Sequence, residues 1–232
     1  MATEKLAVKL TINNEQITLQ VTPEESLLDA LRNAAYYSVK YGCGSGECGA
    51  CTVLMNGKPV RSCTIKATEA ADSTIVTLEG LSTKGELDPI QQAFIDTGAI
   101  QCGYCSPALI LSAKALLDKK PDPTEKEIRK ALNPVLCRCT GYVRGVNAVQ
   151  RAAATRRGEN LKPFVHLDRE LPDDISKIEI PPEYFRTDGN RDPLPPLVYT
   201  PGSMSKTRVV GKSEVKVDAR KLALGKPVFT DD

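Results

Sequence analysis

Cys43, Cys48, Cys51 and Cys63 form a C-x4-C-x2-C-x11-C run, and Cys102, Cys105, Cys137 and Cys139 follow as C-x2-C and then C-x-C. These 8 are all the cysteines of the 232-residue chain, so none is left to fill a core or stand as a stray thiol. Thiolates in sets of four are metal ligands, and two complete tetrathiolate sites are the economical reading. The uneven spacing of the first set is that of a two-iron, two-sulfide (2Fe–2S) cluster, whereas common zinc sites use paired knuckles. The second set alone would also suit zinc. A 2Fe–2S unit held by four thiolates carries about two net negative charges, and reduction adds a third. Such a site needs backbone N–H donors and close approach of the chain, which Gly42, Gly44, Gly46 and Gly49 permit. Cys63 reaches back from beyond the next hairpin to close the shell. Electron transfer is the chemistry these residues point to.

The second set sits where helices should start. Cys105 precedes Ser106 and Pro107 at the mouth of one helix, and Cys139 lies just before another that begins near Gly141. Both N-termini would direct partial positive charge at the site, stabilising an added electron and raising the potential. Arg138, between the last two ligands, adds local positive charge.

The elements that must position these residues follow from periodicity. Residues 5–12 and 16–21 alternate as strands around Asn13-Asn14. Thr22 is the expected N-cap of a helix with Pro23 at its first position, Glu24 and Glu25 in its first turn, and Leu27, Leu28 and Leu31 facing inward. Residues 51–55 and 58–62 read as a hairpin about Asn56-Gly57, and residues 74–78 as a last strand. This predicts a small mixed sheet with one helix up to about residue 80. Helical periodicity then takes over in residues 87–98, 106–119, 124–132 and 141–156, a compact bundle with Leu109, Ile110, Ala113, Leu116 and Leu117 as one core stripe. From Gly158 to Lys206 the composition shifts: 8 of the 16 prolines fall there. That stretch reads as an extended linker pinned by Ile178, Ile180, Tyr184 and Phe185.

Bulk composition excludes other classes. A hydrophobic fraction of 41% and a charged fraction of 26% are those of a globular protein, and a net charge of +2 leaves no footprint for nucleic acid. No apolar run approaches a membrane span, and the N-terminus lacks the apolar core of a secretory signal. The expected location is the cytoplasm, where thiols stay reduced and disulfides are disfavoured. The single histidine, His166, lies in the linker, and with every cysteine committed no Ser-His-Asp or Cys-His arrangement can be built. The chain by itself should not turn over substrate.

The run YGCGSGECGACTVLMNGKPVRSC (Tyr41 to Cys63), with QCGYCSPALILSAKALL (Gln101 to Leu117) and LCRCTGY (Leu136 to Tyr142), resembles the iron–sulfur component of the xanthine dehydrogenase and aldehyde oxidoreductase family, the molybdenum hydroxylases. The resemblance covers about residues 5–157. It implies an α+β chain: an N-terminal β-grasp 2Fe–2S ferredoxin domain (residues 1–80), an all-α four-helix 2Fe–2S domain (81–157), and then the extended proline-rich linker (158–206). It further implies a molybdenum–pterin cofactor on a large partner subunit or a missing domain, with electrons leaving through an FAD subunit or a soluble acceptor. Cys102, Cys105, Cys137 and Cys139 would hold the cluster nearest the pterin, and Cys43, Cys48, Cys51 and Cys63 the outer relay. Gln101 matches the family glutamine whose amide contacts the pterin, and Cys139 matches the ligand that also approaches the pterin edge. The chain departs from the family at Asn133-Pro134-Val135, where Pro134 is expected to hold Asn133 extended, and at Val143-Arg144-Gly145-Val146.

Residues 207–232 carry a second resemblance. Gly211-Lys212-Ser213, Asp218, Gly225-Lys226 and Phe229 resemble the opening of the molybdenum subunit; a split or broken fusion is the favoured expectation for such a tail, with a natural arm that grips a partner and an unstructured tail of chance likeness as the alternatives. Two other functions compete: a free ferredoxin-like carrier serving unrelated reductases, and a zinc-stapled interaction module. The pterin-facing features of the helical half weigh against the first, and the first cysteine spacing against the second.

Overall fold

The computed structural model describes residues 5–82, 86–159, 161, 216 and 218–226. The proposed linker, with His166 and its pinning residues, lies almost wholly outside the described residues, as do Gly211-Lys212-Ser213 and Phe229.

Strands β1 (Leu6–Ile12) and β2 (Glu15–Val21) pair antiparallel, with Leu6 opposite Val21 and Ile12 opposite Glu15. Asn13 and Asn14 take φ of 51° and 71°, the left-handed pair whose twist matches that of the strands. Strands β3 (Thr52–Met55) and β4 (Lys58–Arg61) close in the same way around Asn56 and Gly57. Strand β5 (Thr74–Val76) slots between the hairpins, parallel to β1 and antiparallel to β3, giving a mixed sheet in the order β2-β1-β5-β3-β4. Val8, Leu10 and Ile12 alternate inward from β1 and meet Leu27, Leu28 and Leu31 of helix α1 (Leu27–Asn33) in the first core.

Helix α1 starts later than its sequence suggests. Its N-cap is Ser26, whose hydroxyl accepts the Asp29 N–H, and Thr22–Glu25 is a separate turn. The cause is distant in the chain. Leu27 N–H donates to the Ile65 carbonyl at 2.7 Å and Ala67 N–H to the Glu25 carbonyl at 2.8 Å, which holds residues 25–27 extended against 65–67. Proline at position 23 cannot enforce a helix whose next residues are already engaged in a bridge.

The helical half contains α2 (Pro89–Asp96), α3 (Ser106–Lys119), α4 (Glu125–Leu132) and α5 (Val143–Arg156). Asp88 with Gln91 and Thr124 with Glu127 form capping boxes at the starts of α2 and α4. Ile90, Phe94, Leu109, Ile110, Leu117, Ile128 and Val149 make the second core. Helix α5 begins two residues later than expected because Gly141 and Tyr142 both sit in the left-handed region, at φ of 56° and 66°. A short helix, α6 (Ala219–Ala223), adds Leu222 and Ala223 to this same core.

Candidate metal centres

Cys43, Cys48 and Cys51 lie on the long loop between α1 and β3, and Cys63 on the 3-10 turn Ser62–Thr64 directly after β4. The outer pair is knitted by main-chain donors. Cys43 Sγ accepts the N–H groups of Glu47 at 3.3 Å and Cys48 at 3.4 Å, while Cys48 Sγ accepts the Cys43 N–H at 3.4 Å. The Cys48 N–H, helped by the Ser45 hydroxyl and N–H, holds the Cys43 thiol down to about 5, so it is a thiolate at neutral pH. The inner pair is set by Ser62, whose N–H and hydroxyl both donate to the Cys51 carbonyl, at 3.3 and 2.8 Å. Burial and the adjoining Cys51 thiol push Cys63 up to about 11, with the Gly46 N–H opposing them.

Space around these sulfurs is reserved. A Cβ on Gly42 would stand 2.6 Å from Cys48 Sγ, and one on Gly46 (φ 81°) 2.6 Å from Thr64 Cγ2. Gly49 takes the positive φ that its sequence suggests and also makes a contact its sequence does not reveal. At φ 69°, its Cβ would lie 2.2 Å from the Pro134 carbonyl oxygen and 3.0 Å from Val135 Cα. The first loop thus presses its backbone against the turn that carries the second set.

That second set also forms two pairs. Cys105 is the N-cap residue of α3 and neighbours Cys137, while Cys102 neighbours Cys139. Cys105 and Cys137 are buried, and Cys102 and Cys139 are exposed. Burial raises the Cys105 thiol, and the nearby Cys137 sulfur adds to the rise. Cys137 is lowered despite its burial, because the Thr140 hydroxyl (3.2 Å from its Sγ), the Thr140 N–H and the Cys139 N–H all favour the thiolate. Partial burial and the neighbouring Cys139 raise Cys102, against a bond from the Tyr104 N–H. Helix α3 starts at the residue after Cys105, so its N-terminal field acts there; α5 begins only at Val143, beyond the left-handed Tyr142.

Tyr142 is a site residue that the sequence did not single out. Its hydroxyl accepts the Cys137 N–H at 2.9 Å and donates to the Val135 carbonyl at 3.1 Å, clamping the turn that presents the buried thiol. Its position in T-G-Y directly after C-x-C was the available signal. Asn133 is a correction: it is helical (φ −54°, ψ −33°), not extended before Pro134. Its N–H bonds the Arg129 carbonyl at 2.9 Å and Val135 N–H closes on Leu132 at 3.0 Å, a turn strong enough to override the steric preference imposed by the proline.

The two centres touch through main chain. Leu136 N–H, one residue from Cys137, donates to the carbonyl of Cys48 at 2.8 Å. The Tyr104 hydroxyl, between Cys102 and Cys105, donates to the Tyr41 carbonyl, two residues before Cys43. Gln101 is half-buried at the head of the Cys102 loop.

Among the described residues, no three His, Cys, Asp or Glu side chains converge so as to hold one metal ion. Thiols that neighbour one another in twos, Cys51 with Cys63, Cys105 with Cys137 and Cys102 with Cys139, fit a cluster in which each of two irons takes two thiolates. The main-chain N–H donors around them suit an anionic cluster.

Comparison with known proteins agrees with this reading. A family profile described as a 2Fe-2S iron-sulfur cluster binding domain matches residues 10–77, and one described as a [2Fe-2S] binding domain matches residues 77–150. The chain is 50% identical over 153 residues to the nicotinate dehydrogenase small FeS subunit of Eubacterium barkeri, covering 66% of this chain and 97% of that subunit. It is 42% identical over 171 residues to the aldehyde oxidoreductase of Megalodesulfovibrio gigas, covering 71% of this chain and 18% of that longer protein. Among solved structures, quinoline 2-oxidoreductase from Pseudomonas putida 86 superposes with a TM-score of 0.64 at 38% identity, over 67% of this chain and 99% of the matched one. With two 2Fe–2S-binding domains in this order, and nearly the whole length of such a subunit accounted for, the chain belongs to the iron–sulfur, electron-transfer components of the molybdenum hydroxylases.

Proposed function

We propose that Cys43 with Cys48 and Cys51 with Cys63 hold one 2Fe–2S cluster, that Cys102 with Cys139 and Cys105 with Cys137 hold the other, and that electrons cross between them toward an outside acceptor. The observation that carries this is the pairing of each quartet together with the 2.8 Å bond from Leu136 N–H to Cys48 carbonyl, which joins a ligand of one centre to the neighbour of a ligand of the other. When bound, each cluster supplies one-electron transfer. The chain's own part is electrostatic and geometric. N–H groups of Glu47 and Cys48 at the first centre, and of Cys139 and Thr140 at the second, stabilise sulfur-centred negative charge.

The source of electrons in this reading is a molybdenum–pterin cofactor on a large partner, met at the face of the second centre. Cys139 is, with Cys102, one of the two exposed cysteines there, and the Gln101 amide stands next in chain to Cys102, suited to donate to a pterin edge. Leu136 and Val143 expose 68% and 55% of their surface beside these cysteines, apolar area that a partner would cover. The acceptor is an FAD subunit or a soluble carrier, and the setting is cytoplasmic, where thiolate-held clusters persist. Among the described residues, no helix is long and apolar enough to cross a membrane.

Anaerobic purification followed by metal and sulfide analysis tests the reading. The expected result is about four irons and four labile sulfides per chain, with two distinct paramagnetic signals after reduction. Cys43→Ser and Cys105→Ser should each abolish one signal and leave the other. Zinc in place of iron, or colourless protein, would refute it.

A further inference from the structure

Helix α6 poses a physical question. Five residues are too few to hold a helix in water, because nucleation alone costs about a factor of a thousand. Something else must fix it, and its sequence says what. Ala219, Leu222 and Ala223, spaced i, i+3, i+4, are buried at 2%, 3% and 0% exposure, while Arg220 and Lys221 face outward. Gly225 ends the helix at φ 77°, with its N–H on the Leu222 carbonyl and the Lys226 N–H on the Lys221 carbonyl, a Schellman closure.

The receiving surface is specific at three points. The Gln91 side chain, fully buried in α2, donates to the Ala223 carbonyl at 2.7 Å. A Cβ on Gly103 would stand 2.7 Å from both methyls of Leu222, so the loop between Cys102 and Cys105 is shaped to that leucine. A Cβ on Gly225 would meet Ser38 Cβ at 3.0 Å and Glu79 Cδ at 3.2 Å. Those two residues are joined by bonds from the Ser38 N–H and hydroxyl to the Glu79 carboxylate. The segment therefore touches both the helical core and the edge of the sheet domain.

We propose that residues 218–226 are an anchor helix, and that the groove formed by Gln91, Gly103 and the Ser38–Glu79 pair is a recognition site for a short helix of pattern Ala-x-x-Leu-Ala-x-Gly. The occupant is this chain's own segment, docked in cis. Residues 218–226 belong to the same compact unit as residues 5–159 and lie against the loop that carries Cys102 and Cys105. On the reading given above, which this consequence rests on, the anchor supports the Gly103 loop between Cys102 and Cys105 from behind while a molybdenum-bearing partner meets its sulfurs.

Hydrogen exchange on the full iron-loaded chain tests the anchor. Its amides at Leu222, Leu224, Gly225 and Lys226 should be protected, and Leu222→Asp should cut their protection by at least about tenfold while leaving β1 and β2 unchanged. Adding about 1 mM of a synthetic peptide spanning residues 214–228 to the Leu222→Asp chain should restore protection of Gln91 and the Gly103 loop. The same peptide carrying Leu222→Asp should not. Free-chain exchange of residues 219–226 in the unaltered protein, or restoration by both peptides alike, overturns the proposal. Iron and sulfide content, measured on the same samples, separates failure of the anchor from failure of the relay.

Discussion

Replacing Gly49 by alanine probes the contact between the two cysteine loops, and its effect can be worked out from two independent costs. At φ 69° a side chain is strained in the left-handed region by about 1–2 kcal/mol. The added methyl would also stand 2.2 Å from the Pro134 carbonyl oxygen and 3.0 Å from Val135 Cα. Both are backbone atoms on the turn that Tyr142 clamps, so relief requires moving the turn; overpacking of this kind costs about 1–3 kcal/mol. Together these give about 2–5 kcal/mol. Gly57→Ala is the control: it has φ 76°, but its Cβ meets nothing within 4 Å, so only the conformational cost of about 1–2 kcal/mol applies. The difference, about 1–3 kcal/mol, corresponds to roughly 2–12 °C in Tm for a chain of this size. Loss of iron makes unfolding irreversible, so the midpoints should be compared at one scan rate by visible absorbance of the clusters. Equal midpoints for the two variants would show that the loops do not bear on each other.

Tyr142→Phe removes the partner of the Cys137 N–H and of the Val135 carbonyl, and should destabilise the helical half by about 1–3 kcal/mol; second-centre iron should be lost first to a mild chelator, read from the two reduced signals. Gln91→Ala deletes the acceptor of the Asp88 N–H (2.8 Å) and Ser82 hydroxyl (3.0 Å) and the donor to Ala223, and should also cost about 1–3 kcal/mol by thermal melting. Glu127 accepts from the Lys120 ammonium, its largest influence, and from Thr124, which hold its carboxyl down to about 2, below the usual 4.5. A depressed folded-state value means that its stabilisation is complete above the ordinary value and is lost as pH falls from 4.5 toward 2. Glu127→Gln should flatten the acid limb of a stability profile over that interval, and an unchanged limb would count against the capping pair.

The elements legible in the sequence are those whose causes are local. Asn13-Asn14 and Asn56-Gly57 fix their hairpins within two residues, and Thr124 caps its helix through Glu127, three residues on. The two 2Fe–2S-binding domains were legible because ligand chemistry restricts cysteine spacing. What escaped was set by distant partners. Helix α1 starts at Ser26 because Ile65 and Ala67 claim the residues before it, and no window around Thr22 contains them. Gly49 read as one more loop glycine because its reason, the Pro134 carbonyl, lies 85 positions away in the chain. Helix α6 is too short for periodicity to register, and its partners Gln91 and Gly103 lie more than a hundred residues upstream.

In each of these long-range contacts at least one partner is backbone. Leu136 N–H meets the Cys48 carbonyl, the Gly49 Cα approaches the Pro134 carbonyl, and the Gly103 loop receives Leu222 without a side chain of its own. Backbone contacts fix position more tightly than contacts between long side chains, which adapt by changing rotamer. A relay between two centres needs such fixity, because the sulfurs of Cys48 and Cys137 keep their separation only if the loops that carry them cannot slide. Pro134 fits that demand. It cannot donate a hydrogen bond, its φ is locked, and its carbonyl is the atom that meets Gly49. Asn133-Pro134-Val135 is therefore a stiff turn set against the first cysteine loop, at a place where a side chain on the facing Gly49 has no room.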